Sequence, residues 1–157
     1  MRVERQRNKL TSLGLARCNI GPTGAAEIAE YVSGSAVLKT PSTSAATRST
    51  TRAPLRLPRR YVAIRVLTNL NLGHNNIGPE GAKAIGEALA VNGVMTNLNL
   101  NSNNIRDEGA KAIGEALCVN GVLKTLILQS NHIGDEGAKA IGGALAVNEV
   151  LTSLDVG

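Results

Sequence analysis

Apolar and polar positions recur along this chain with a period of 28 residues. Leu67, Met95, Leu123 and Leu151 stand 28 apart, and Leu10 and Leu38 are separated by the same step. Each of these residues except Leu38 opens an apolar-x-x-Leu-x-apolar run. In all but the last, an Asn or Cys and then an Ile follow. A period of this length predicts a stack of like supersecondary units, each burying its apolar face against its neighbours. In the unit 67–94, LTNLNLGHNNIGPEGAKAIGEALAVNGV, period-2 alternation turns Leu70 and Leu72 to one face of a short strand and Asn69, Asn71 and Gly73 to the other. Asn75 follows, with Asn103, Asn131 and Cys18 in the same phase. A side-chain amide there can bond backbone groups that the turn leaves unpaired, so stacked copies predict a buried ladder of Cys18, Asn75, Asn103 and Asn131. Cys18 enters it as a small buried residue.

The rest of the unit predicts a helix. Pro79 suits a first helical position, and Asp107 and Asp135 bring to the same place a charge that favours a helix N-terminus. Ala82, Ile85 and Leu89 form an i, i+3, i+7 stripe, with Lys83 and Glu87 outside it. Strands are expected from near Leu10, Leu67, Met95, Leu123 and Leu151, and helices near 79–90, 107–118 and 135–146. Gly81 and Gly86 lower helix propensity, which close packing between helices would explain. Helix axes stay at least ~8 Å apart while strands stack at ~4.8 Å, so the stack must bend with its strands on the concave side.

The strings LTNLNLGHNNIG, MTNLNLNSNNIR and LKTLILQSNHIG, each before a GAKAIG-containing helix, resemble ribonuclease-inhibitor-type leucine-rich repeats. That subtype is shared by ribonuclease inhibitors, the receptor ends of NOD-like sensors and the activator of the Ran GTPase. The resemblance implies an α/β leucine-rich-repeat solenoid, a horseshoe with parallel strands on the concave side and helices on the convex side. It also implies a non-catalytic protein-interaction module, part of a larger intracellular sensor or scaffold. Two other readings stand beside it: a regulator of a small GTPase, as the Ran activator is, and a vestigial product without a partner.

Residues 1–9 read as a basic tail, 10–40 as a first repeat, 41–66 as an irregular segment, and 67–157 as three regular repeats plus a terminal strand. The step from Leu38 to Leu67 is 29, one repeat plus one residue. A shifted reading frame across 41–53 permits LNLSGNKIDDEGA, which keeps strand, Asn and helix start in phase. We therefore read 41–66 as a repeat out of frame, against the simpler reading of a basic interaction loop. Lacking inward leucines, it leads us to expect that the first repeat is poorly coupled to 67–157. No polar capping unit is visible at either end, so a fragment of a longer solenoid, and self-association through uncapped ends, are expected.

Charge changes this picture little. The net +5 divides as +3 over 1–9, zero over 10–40, +6 over 41–66 and −4 over 67–157. The basic residues thus lie outside the regular repeats, and with 1% aromatic residues no stacking platform for bases exists, which argues against nucleic acid. No apolar run reaches the length of a membrane span and no secretory signal opens the chain. Cys18 and Cys118 lie in different repeats and phases, beyond disulfide reach, so a cytoplasmic location is expected. Neither His74 nor His132 has a second ligand at metal spacing. Ser130, His132 and Asp135 share one turn without an oxyanion-hole motif, and IGPEGAKAIG lacks the Gly-Lys-Ser/Thr ending of a phosphate loop. Neither catalysis, a metal nor a cofactor is expected.

Function is therefore sought on the free strand face. Its columns contain Asn69, Asn97 and Thr125; Asn71, Asn99, Ile127 and Asp155; and Asn101 and Gln129. These nine residues are the candidate contacts for a protein partner. They are polar, largely uncharged and poor in the aromatic anchors of tight interfaces.

Overall fold

The computed structural model describes residues 11–33 and 67–157; the tail 1–9 and the segment 41–66 lie outside them. Strand and helix alternate: β1 Ser12–Gly14, α1 Gly21–Val32, β2 Asn69–Asn71, α2 Gly78–Val91, β3 Asn97–Asn99, α3 Arg106–Val119, β4 Thr125–Ile127, α4 Asp135–Leu145 and β5 Ser153–Asp155. The strands form one parallel sheet in the order β1-β2-β3-β4-β5. The register follows the sequence period: Leu13, Leu70, Leu98, Leu126 and Leu154 stand side by side. Each helix packs on the next along one side of the sheet.

The inward side chains of both layers meet in one core. Leu72, Ile77, Leu98, Leu100, Ile105, Ile113, Leu117, Leu126 and Leu128 are essentially inaccessible. Leu13, Leu15, Ile20, Leu151 and Leu154, in the first and last strands or their turns, are only partly buried. Small residues set the helix spacing. A Cβ at Gly86 would meet the Ala112 carbonyl oxygen at 2.8 Å, and one at Gly114 would meet that of Ala140 at 3.0 Å. A methyl group at either would push two helix backbones apart.

The turn after each strand explains where the helices begin. In the second repeat His74, Asn76 and Gly78 take positive φ, and Ser102, Asn104 and Arg106 repeat the alternation. Left-handed residues at every second position aim successive N–H groups at the next repeat. The amides of Gly21, Gly78 and Arg106 donate to the Asn75, Asn103 and Asn131 carbonyls at 2.9–3.0 Å. Helices α2 and α3 therefore begin at this turn residue, one earlier than Pro79 and Asp107. In the last turn described, Gly134 is extended (φ −94°, ψ −167°), and α4 begins at Asp135.

The first repeat, expected to be poorly coupled to 67–157, lies directly against it. β1 pairs directly with β2 in full register, across a separation of 57 residues. The amides of Leu15 and Arg17 donate to the Asn71 and Gly73 carbonyls at 2.8 and 3.0 Å. The physical reason is that the edge of the 67–94 repeat offers the bonding groups directly.

Candidate interaction face

The strands turn their alternate side chains away from the helices into an open trough. Ser12, Gly14, Asn69, Asn71, Asn97, Asn99, Thr125 and Ile127 line it, with Leu13, Leu70 and Leu98 at its floor, drawn from four neighbouring strands. Six of the nine residues singled out from sequence are thus brought together. The other three are not in that lining. Asn101 lies in the turn, its Nδ2 3.2 Å from Nε2 of His74 in the preceding repeat. Gln129 is exposed beyond the end of β4, and Asp155 is exposed on β5.

Several of these side chains also hold the backbone. Oδ1 of Asn71 accepts from the Gly73 amide, Oδ1 of Asn99 from the Asn101 amide, and Oδ1 of Asp155 from the Gly157 amide, at 3.0–3.1 Å. These local turns fix the amide orientation, leaving Nδ2 of Asn71 and Asn99 as the free donors. Ile127, which cannot make this bond, puts an apolar side chain in the same column. The trough therefore presents amide donors, hydroxyls and one aliphatic patch to whatever lies on it.

Beneath the end of the trough stands the asparagine ladder. Asn103 is fully buried; its Oδ1 accepts from the Asn75 and Ile77 amides of the preceding repeat at 2.9 and 3.4 Å. Its Nδ2 donates to Leu72 O of that repeat and to Leu100 O and Asn101 O of its own. Asn131 repeats the arrangement one unit later, and Asn75 makes it with the first repeat, accepting from the Cys18 and Ile20 amides and donating to Leu15 O. Cys18 departs from expectation. It is exposed, and its Sγ reaches only Ala16 O at 3.6 Å. Each rung reaches back to the repeat before it, and among the described residues Cys18 has no such predecessor.

A second ladder was missed from the sequence. Nδ2 of Asn92, Asn120 and Asn148 donates to Val32 O, Leu89 O and Leu117 O, carbonyls near the end of the preceding helix, at 2.7 Å. Each Oδ1 accepts two amides of its own connection. Its signal in the sequence is the same 28-residue recurrence, at Asn92, Asn120 and Asn148. Asp107 was also given only part of its work. Its Oδ1 accepts from the Gly134 and Gly137 amides at 2.8 and 2.9 Å, so it caps α4, the helix of the following repeat.

Among the described residues no group of three or more His, Cys, Asp or Glu is placed to hold a metal ion, and no helix is long and apolar enough to cross a membrane. The one ion pair among them is Lys139 with Glu136, both exposed. Lys83 and Glu87 are both exposed on α2.

A family model described as "Leucine Rich repeat" matches residues 7–29, 64–86, 92–114 and 119–142, more than half of the chain. A solved structure described as "Leiomodin-1 Actin-Binding Site 2 (ABS2)" is similar, with 32% sequence identity and a TM-score of 0.55. The match covers 58% of this chain and 54% of that one, so the chain spans about half the length of that structure. No curated protein sequence matches significantly.

Proposed function

We propose that this chain, which belongs to the leucine-rich-repeat family, is a non-catalytic protein-interaction module that binds its partner in the trough of the strand face. The observation that carries the reading is the continuity of that trough: outward side chains of four strands line one surface, and none of them is in the core. A broad, uncharged, hydrogen-bonding surface suits recognition of a protein better than turnover of a small molecule, which needs convergent groups in a cleft. Helices of 11 to 14 residues in the repeats of 67–157 support the ribonuclease-inhibitor-type subtype, as does the 28-residue period. On the same reading the module works in the cytoplasm as part of a larger sensor or scaffold.

Actin is the first partner to test, because the similar leiomodin-1 structure is described as an actin-binding site. Co-sedimentation with filamentous actin should retain the unaltered chain and lose the double variant Asn97→Lys, Thr125→Lys. Both positions lie in the trough and outside the buried ladders. Binding that survives this variant but is lost with Lys83→Glu on the convex side would overturn the concave-face reading. Absence of co-sedimentation would remove actin as the partner.

A further inference from the structure

The seam between the first repeat and the second carries the ladder, helix-end and strand-entry hydrogen bonds found between interior repeats, although its covalent connection is unlike theirs. At the seam Asn75 reaches the Cys18 amide and Leu15 O, Asn92 reaches Val32 O, and Thr68 Oγ1 donates to Thr11 O at 3.0 Å. Between the second and third repeats Asn103, Asn120 and Thr96 do the same. Every one of these side chains belongs to the following repeat. The β2 edge is therefore a complete receiving site, built by 67–94 alone. In the interior, five residues (92–96 and 120–124) join a helix to the next strand, whereas residues 33–68 join α1 to β2. At ~3.3 Å per residue the short connections span at most ~17 Å, but the long one can reach on the order of 100 Å.

We propose that the first repeat is exchangeable, so that residues 11–33 of one copy dock on the β2 edge of a second copy and the exchange is returned to form a closed dimer. The partner is a second copy because the unit that fits this edge, in register and in hydrogen bonds, is the chain's own first repeat. Exchange keeps every seam contact, so monomer and dimer differ mainly by the entropy of association against that of the tether. Tethering within one chain commonly sets an effective concentration on the order of a millimolar, and exchange should emerge as protein concentration approaches that value. This route uses the β2 edge and differs from the end-to-end self-association expected from the sequence.

Two experiments test it with the full chain. Light scattering after size exclusion should show the 16.3 kDa mass doubling between about 10 μM and about 1 mM. Replacing residues 33–68 with the five-residue connection 92–96 should abolish that doubling. In a Cys18→Ser, Cys118→Ser background, Ser12→Cys and Asn69→Cys place thiols on directly paired positions. A chain carrying both should close within itself, and a mixture of the two single variants at high concentration should yield the mixed covalent dimer in excess over either like pair. A chain that stays monomeric at a millimolar overturns the proposal, whatever the thiols do. So does a dimer that persists with the short connection, or a double variant that closes while the mixture gives no mixed dimer.

Discussion

The interior repeat that begins at Met95 and the first repeat, 11–33, share strand, left-handed turn and helix, yet differ in what they give and receive. The interior repeat reaches back with Asn103, Asn120 and Thr96 and is reached in turn by Asn131 and Asn148. Among side chains the first repeat is reached rather than reaching: Asn75, Asn92 and Thr68 bond it, and its own Cys18 and Ala16 stay at the surface. Both asparagine ladders in this stack run in one direction, whereas the Asp107 cap on α4 runs the other way. A repeat is finished by its successor, which is why a cysteine at the first ladder position leaves the first seam intact. It is also why the first repeat docks through bonds that 67–94 supplies.

The largest expected effect is at a position that both gives and receives. Asn103→Ala removes the acceptor of two buried amides and the donor to three carbonyls, and should lower unfolding free energy by about 3 kcal/mol in a chemical denaturation series. A neutral result would break the comparison at its centre.

Equivalent glycines should part in sign. Gly86→Ala drives a methyl against the Ala112 carbonyl and should cost about 2 kcal/mol, whereas a Cβ at Gly142 meets nothing within 4 Å. Gly142→Ala should then raise the unfolding free energy through helix propensity, by up to ~1 kcal/mol. Next comes the cap reaching from one repeat to the next. Asp107→Ala should cost about 1 kcal/mol and speed amide exchange at Gly134 and Gly137 while leaving the start of α3 protected. The smallest effect concerns the turn. Arg106 holds φ at 59° where the second repeat has Gly78, so Arg106→Gly should gain up to ~1 kcal/mol in thermal unfolding.

Much of the stack is legible in the chain because its cause is periodic. Leucines at 70, 98 and 126 and asparagines at 75, 103 and 131 recur at a step that only stacked units explain, and their burial follows. What escaped reading depends on which neighbour a residue serves. Asn120 bonds a carbonyl 31 residues earlier, and Asp107 caps a helix 27 to 30 residues later, so neither role shows in the residue's own repeat. The exposure of Cys18 and the docking of β1 on β2 follow from the direction of the ladder, which spacing alone does not contain. The trough residues were visible as a polar column, but the bonds that tie Asn71 and Asn99 to their own turns depend on backbone geometry.

The most direct test of the ladder's direction is hydrogen exchange at the Cys18 and Ile20 amides in two single variants. Both amides donate to Asn75, at 2.8 and 3.3 Å. Asn75→Ala should remove their protection and loosen the whole 11–33 repeat, whereas Cys18→Ala should leave both amides as slow as in the unaltered chain. Protection that survives Asn75→Ala but is lost with Cys18→Ala would contradict the account.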